Sequence, residues 1–245
     1  MPLVTQPLYN TLLGAGGEPV LTETADLELW INCDQDNIGT TGSLIDTYTD
    51  LSGNGRTVTC LGVDRPTVVT DELDGRSVSR HSDDHGLLPA SINYTGGAYT
   101  VYYVCKVTGL NGTGGQSFWS YDSGSAASQH FGGPLNSNVL ATGQPYHARN
   151  NGGAIRARND ANFNGDWGLL IHRHDSILLD ENNGGYASSG DVHSTGVKAV
   201  FTRSWNGAFY FVGDHAEKLV YSVDHSAGQE DNVVSYLRAR FPSLN

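Results

Sequence analysis

Lysine is almost missing from this chain: Lys106, Lys198 and Lys218 are the only three in 245 residues. Together with a formal net charge of -12, this removes the basic face that phosphate-backbone binding needs, so nucleic acid is excluded as a partner. Charged residues make up 16% of the chain, against about 25% in average globular domains. Low charge does not signal disorder here, because Trp, Tyr, Phe and β-branched residues are spread along the sequence. An acidic surface supports solubility and selects no particular partner. No run approaches the ~18 apolar residues of a spanning helix, so no membrane partner is expected. Residues 1–19 (MPLVTQPLYNTLLGAGGEP) have neither the basic nor the apolar region of a secretory signal, which points to folding in the cytoplasm of the producing cell. Three cysteines, Cys33, Cys60 and Cys105, make no disulfide framework; buried free thiols are expected, with a Cys33–Cys60 bridge left open.

Catalytic and cofactor signatures are equally scarce. There is no G-x-S-x-G nucleophile elbow. The Gly14–Gly17 run has no Lys-Ser/Thr after it and cannot be a phosphate loop. His172 and His174 would share a strand face, as a chelating pair requires, but no third ligand is identifiable. Asp71-Glu72-Leu73-Asp74 reads as the approach to an Asp74-Gly75 turn. No cofactor is called for.

What the chain does have is turns. Six Asn-Gly pairs begin at Asn54, Asn111, Asn151, Asn164, Asn183 and Asn206, with Asp74-Gly75 as a seventh marker. Asn-Gly suits the two positive-φ positions of a type I′ hairpin turn. Between the turns lie short apolar runs. Residues 98–107 (AYTVYYVCKV) are apolar on both alternating faces, which predicts a central strand covered on both sides. Residues 168–171, 176–179, 197–201, 208–212 and 217–221 read as further strands, the last two flanking a tight Gly213-Asp214 turn. One helix follows. Ser226 and Gln229 form a capping box, Val233, Val234, Leu237 and Phe241 give an apolar stripe, Arg238 and Arg240 suit the last turn, and Pro242 stops it. Many short strands and one late helix make a two-sheet antiparallel sandwich. Residues 1–25 stand apart: three prolines, a glycine hinge and scattered leucines suggest an extended arm laid on a neighbouring subunit, with a frayed terminus as the alternative.

Several of these elements are familiar in order. The run Gly213, Asp214, Ala216, Glu217 and Tyr221, followed by a helix with Tyr236 and Leu237, resembles the end of concanavalin A-like (LamG-type) jelly-roll domains. Leu27, Leu29 and Trp30, then residues 50–55 (DLSGNG), Arg65-Pro66 and residues 73–76 (LDGR), resemble their beginning. The resemblance implies an all-β, two-sheet antiparallel jelly-roll sandwich with one C-terminal helix over residues 26–245. It also makes Glu217 a structural residue. The chain departs from the family at Ser79-Arg80-His81, where a buried aromatic is usual. Glucanase relatives carry an E-x-D-x-x-E run, and none of the seven glutamates here stands in that pattern. Some LamG-type relatives bind Ca²⁺; Asp34-Gln35-Asp36-Asn37 and residues 81–85 (HSDDH) offer oxygens without regular ligand spacing.

Glycan recognition needs an aromatic platform ringed by hydrogen-bonding groups. Trp119, Tyr121, His130 and Tyr146, in or beside Gly- and Ser-rich loops, are the candidate ligand-binding residues; filling the sandwich is the alternative for Trp119 and Tyr121. These readings together lead to the expectation of a protein that is not an enzyme: a structural or adhesion protein on a bacteriophage virion surface, on capsid or tail. It would be a homo-oligomer, joined to other virion or surface subunits through residues 1–25 and able to bind a host glycan. The alternative is a carbohydrate-binding module of a bacterial surface or secreted protein, located outside the cell.

Overall fold

The computed structural model describes residues 17–61, 65–82, 85–92, 99–108, 117–121, 130–132, 146–148, 156–157, 165–173, 176–179, 187–188, 197–199 and 211–244. The chain begins with β1 (Leu27–Asn32), β2 (Ile38–Thr41), β3 (Leu44–Thr49), β4 (Thr57–Leu61), β5 (Thr67–Leu73) and β6 (Arg76–His81). Then come β7 (His85–Ile92), β8 (Thr100–Val107), β9 (Ser117–Tyr121), β10 (His130–Gly132), β11 (Tyr146–Ala148) and β12 (Arg156–Ala157). Finally β13 (Trp167–Arg173), β14 (Ser176–Leu179), β15 (Ala187–Ser188), β16 (Val197–Ala199) and β17 (Gly213–Tyr221) lead into helix α1 (Ala227–Arg240).

All pairings are antiparallel and sort the strands into two layers. In the first, β17 is central, with β8 along one side and β1 and β6 sharing the other; β5 flanks β6, and β13, β14 and β15 continue beyond β8. The second runs β2-β3-β4-β7-β16-β9-β10-β11-β12. Among the described residues the layers join at one pairing, Leu44 with Thr67. This is the all-β jelly-roll sandwich with a single C-terminal helix.

The central layer is covered twice, as the two-faced pattern of residues 98–107 anticipates. Val101, Tyr103 and Cys105 of β8 enter the core between the sheets, with Leu29, Ile31, Ile45, Tyr48 and Val220. Tyr102 and Val104 enter a second core under α1, with Leu219, Tyr221, Val233, Val234, Leu237 and Phe241. The helix begins as its capping box dictates: Gln229 N donates to Ser226 Oγ at 3.5 Å and Ser226 N donates back to Gln229 Oε1 at 3.1 Å. Such a cap stabilises the helix by about 1 kcal/mol. Cys33, Cys60 and Cys105 are buried free thiols; burial pushes Cys33 up to about 12 and raises Cys105 as well.

Local turn chemistry is right at one place and wrong at another. Asp74 and Gly75 have φ of 51° and 76°, the double positive φ of a type I′ turn joining β5 to β6. Gly213-Asp214 is no turn. Gly213 opens a nine-residue strand and passes between β6 and β8, where a Cβ would lie 2.1 Å from the Lys106 carbonyl oxygen. The glycine serves close strand approach, not chain reversal. A bulge at Ala216 then resets the alternation: His215 pairs with Cys105 and Glu217 with Val104, so Lys218 faces the inter-sheet core and Glu217 faces the helix.

Of residues 1–25, the described part, 17–25, runs along the domain's own helix side. Leu21 is buried there, Tyr221 OH donates to the Glu23 carbonyl at 2.9 Å, and Asn232 Nδ2 donates to Glu23 Oε1 at 2.6 Å. Residues 1–16, which carry the rest of the expected arm, lie outside the described residues.

Candidate functional site

Among the described residues, polar side chains gather in several regions, and four of these differ in how far their side chains satisfy one another. The most closed surrounds Glu217, wholly buried on β17. Trp30 Nε1 and Tyr236 OH each donate to Glu217 Oε1 at 2.7 Å, and Arg240 Nε lies 2.6 Å from Oε2. Burial raises the carboxyl above its ordinary value, and Arg240, Tyr236 and Trp30 pull it back. Arg240 Nη2 also donates to Asp34 at 2.5 Å. This cage ties α1 to β17 and β1. Glu217 is structural, as the resemblance implies.

The second region lies between the sheets and explains Ser79-Arg80-His81. Ser79 and His81 face inward, where the His81 ring sits 5.4 Å from Phe211. His81 Nε2 is 2.8 Å from Ser79 Oγ, and His215 stacks 5.3 Å from Tyr103. Lys218 Nζ lies 4.0 Å over the Tyr103 ring. Burial holds both His215 and Lys218 well below their ordinary values. None of these side chains reaches solvent: His81, His215 and Lys218 are 2%, 0% and 1% exposed.

Arg80, the residue between, points the other way into a third region. Register places Arg80, Asp214, Lys106 and Trp167 side by side on β6, β17, β8 and β13. Arg80 Nε and Nη2 donate to the two Asp214 oxygens at 2.7 and 3.0 Å. Lys106 Nζ reaches Asp214 at 3.1 Å, Glu72 at 2.6 Å and the face of Trp167 at 5.2 Å. Burial lowers the Lys106 ammonium, but Glu72 and Asp214 outweigh it and leave it above the usual lysine value. Two cations and two carboxylates neutralise one another, so the row has no spare charge for a ligand and no free acid–base pair for hydrolysis.

The fourth region is different. Where the two layers meet, a groove of about 530 Å³ is lined by Gln35, Asp36, Ile38, Thr40, Gly42, Ser43, Val68 and Thr70. That volume lies within the range of ligand-binding clefts. Strand alternation puts Ile38 and Thr40 on one face of β2, and Val68 and Thr70 on one face of β5. Ile38 and Val68 rest on the inter-sheet core and form an apolar floor. The walls are hydroxyl, amide and carboxylate. Their frame is fixed: Ile45 N donates to Pro66 O at 2.7 Å and Val68 N to Ser43 O at 2.9 Å. Asn37 Nδ2 and Asp34 N donate to Asn32 Oδ1 at 2.8 and 3.2 Å, holding the turn that carries Gln35 and Asp36. Thr41 Oγ1 donates to Asp46 at 2.7 Å, and Asp46 is paired with Arg65. The wall side chains themselves, Gln35, Asp36, Thr40, Ser43 and Thr70, make no hydrogen bond among the described residues.

The sequence singled out other positions. Trp119 and Tyr121 lie on β9, His130 on β10 and Tyr146 on β11, in the layer that has β2 at its opposite edge. Pairing sets Trp119 against Phe131 and His130 against Ser120, while Tyr146 pairs with Gly132. The strands are thus adjacent, but register places Trp119 and Tyr121 on one face and His130 and Tyr146 on the other. Of the Ca²⁺ candidates, Asp34 is committed to Arg240 and Arg76, Asn37 to Asn32, and His81 points into the core. Residues 83–84 and His174 lie outside the described residues. Among the described residues, no group of three or more His, Cys, Asp or Glu side chains is placed to hold a metal.

No family model matches this chain, and no curated protein does. Solved structures do share its fold. A GH54 α-L-arabinofuranosidase superposes with a TM-score of 0.57 at 15% identity, over 81% of this chain and 51% of its own. A Trypanosoma rangeli sialidase superposes with a TM-score of 0.56 at 9% identity, over 91% of this chain and 34% of its own. Domain 4 of AbnA, a GH43 extracellular arabinanase from Geobacillus stearothermophilus, was solved in complex with arabinotriose. It matches with a TM-score of 0.50 at 12% identity, over 83% of this chain and 96% of that domain. The chain thus spans about half of the arabinofuranosidase and a third of the sialidase, but nearly all of the arabinanase domain.

These likenesses correct two expectations. The reading as a structural or adhesion protein of a phage virion is overturned, because the fold is shared with glycoside hydrolases and a domain of one. The expectation that the chain is not an enzyme falls for the same reason. It had rested on missing sequence motifs, and a catalytic set assembled from distant strands leaves no such motif.

Proposed function

We propose that this domain recognises carbohydrate, as a module of a surface or secreted protein acting on polysaccharide outside the cell. The observation that carries this reading is the corner groove. A sugar ring presents C–H groups on one face and hydroxyls around its rim, and the groove offers an aliphatic floor under unsatisfied polar walls. Its backbone frame is already hydrogen-bonded, so little ordering cost accompanies binding. The arabinotriose held by a domain of the same fold and size supports the reading. The ordered motifs from Leu27 to Phe241 support a concanavalin A-like, LamG-type domain as its subtype. Trp119 and Tyr121, on one face of the same layer, are proposed as an aromatic extension of glycan contact.

Calorimetric titration of the chain with arabinotriose and other short neutral oligosaccharides tests the proposal. Saturable binding of at least one, weakened by filling the groove with Thr40→Trp, is the expected outcome. No saturable binding anywhere in the series would remove it.

A further inference from the structure

The charge around the groove selects among sugars. Among the described residues, Asp36 is the one ionisable side chain in its lining, and no Lys, Arg or His joins it. Arginines in or beside the surrounding strands and in α1 already have carboxylate partners. Arg65 is paired with Asp46, Arg56 with Glu28, Arg76 with Glu18 and Asp34, and Arg240 with Asp34 and Glu217. An acidic sugar would therefore meet an unpaired carboxylate with no cation to receive its own, on a chain of net charge -12.

Resting on the carbohydrate reading above, we infer that the corner groove takes uncharged sugars bearing a vicinal diol and rejects uronic and sialic acids, with Asp36 as the specificity-determining residue. The Asp36 carboxylate offers two acceptor oxygens and no donor, which suits two neighbouring hydroxyl donors. Thr40, Ser43 and Thr70 hydroxyls and the Gln35 amide are donors and acceptors for the remaining rim. Ile38 and Val68 take the C–H face. A ligand carboxylate about 5 Å from Asp36 loses roughly tenfold in affinity at low salt, and screening reduces that loss as salt rises.

The test compares matched neutral and acidic chains, galacto-oligosaccharides against oligogalacturonides, with arabinotriose as a third probe. Dissociation constants are measured at low and physiological salt for the native chain, Asp36→Asn and Thr40→Trp. Asp36 makes no side-chain hydrogen bond among the described residues and Thr40 is exposed, so both variants are expected to fold, which their melting temperatures check. The inference expects the neutral chain to bind about tenfold tighter than the acidic one at low salt. It expects Asp36→Asn to weaken the neutral ligand and shrink the gap to about twofold, and Thr40→Trp to weaken binding of every probe. An acidic chain bound as tightly as its neutral counterpart overturns it. So does neutral binding indifferent to both variants, which leaves the carbohydrate reading standing and moves the site elsewhere. Absence of binding to all three probes overturns both together.

Discussion

The Arg80–Asp214–Lys106–Glu72 row and the corner groove are both polar, both partly open to water and both built across strand edges, yet they differ in one respect. In the row every charge has a counter-charge within 3.1 Å on another strand. In the groove five polar side chains make no hydrogen bond among the described residues. A self-satisfied cluster contributes to holding strands together, whereas an unsatisfied one leaves its hydrogen bonds to solvent or ligand. The comparison teaches that charge density is a poor guide to a binding site and residual hydrogen-bonding capacity a better one.

The sharpest way to break this comparison is to open the saturated regions. Glu217→Ala removes the partner of Trp30, Tyr236 and a nearly buried Arg240, and is expected to cost about 3–5 kcal/mol in urea unfolding. Gly213→Ala drives a Cβ onto the Lys106 carbonyl and parts β17 from β8, a loss of about 3 kcal/mol by the same measurement. Asp214→Ala leaves Arg80 and Lys106 facing each other; with Lys106 15% exposed, about 2 kcal/mol is expected, and sugar binding by the folded fraction is unchanged. Groove substitutions should show the reverse. Thr70→Ala and Asp36→Asn leave stability within about 0.5 kcal/mol, while calorimetry registers weaker oligosaccharide binding.

Acid sharpens the contrast further, because only the interior responds strongly. Burial keeps His215 neutral in the folded chain, while the unfolded chain protonates near the ordinary value of 6.5. The unfolded state therefore binds more protons below that value, and stability falls as pH drops through it. Lys218, held below its usual 10.5, tilts stability the same way at higher pH, until the raised Cys33 and Cys105 thiols oppose it above their ordinary 9.0. Melting temperatures should decline from pH 8 to pH 5, and less steeply in His215→Phe.

Local signals were the most readable part of the sequence. Ser226 and Gln229 define the helix start because a capping box needs four residues and nothing else. Asp74-Gly75 marks its hairpin for the same reason. Gly213-Asp214 carries a turn signature yet lies within a strand, because the glycine answers to Lys106, more than a hundred residues away. Arg80 looked like a packing fault until its outward face met Asp214. The groove was hardest to read. Asp36 stood out only as one oxygen donor in an acidic run, and its neighbours in space, Val68 and Thr70, belong to an ordinary strand pattern. The virion reading failed because missing motifs and an apolar leading segment describe many proteins, whereas the sandwich itself is shared with carbohydrate-active ones.

Chemical-shift mapping with arabinotriose tests the central claim most directly. The account predicts saturable shifts confined to the amides of residues 35–43 and 67–70, with those of Arg80, Lys106 and Asp214 unmoved. Shifts centred on the charged row, or none at saturating sugar, would contradict it.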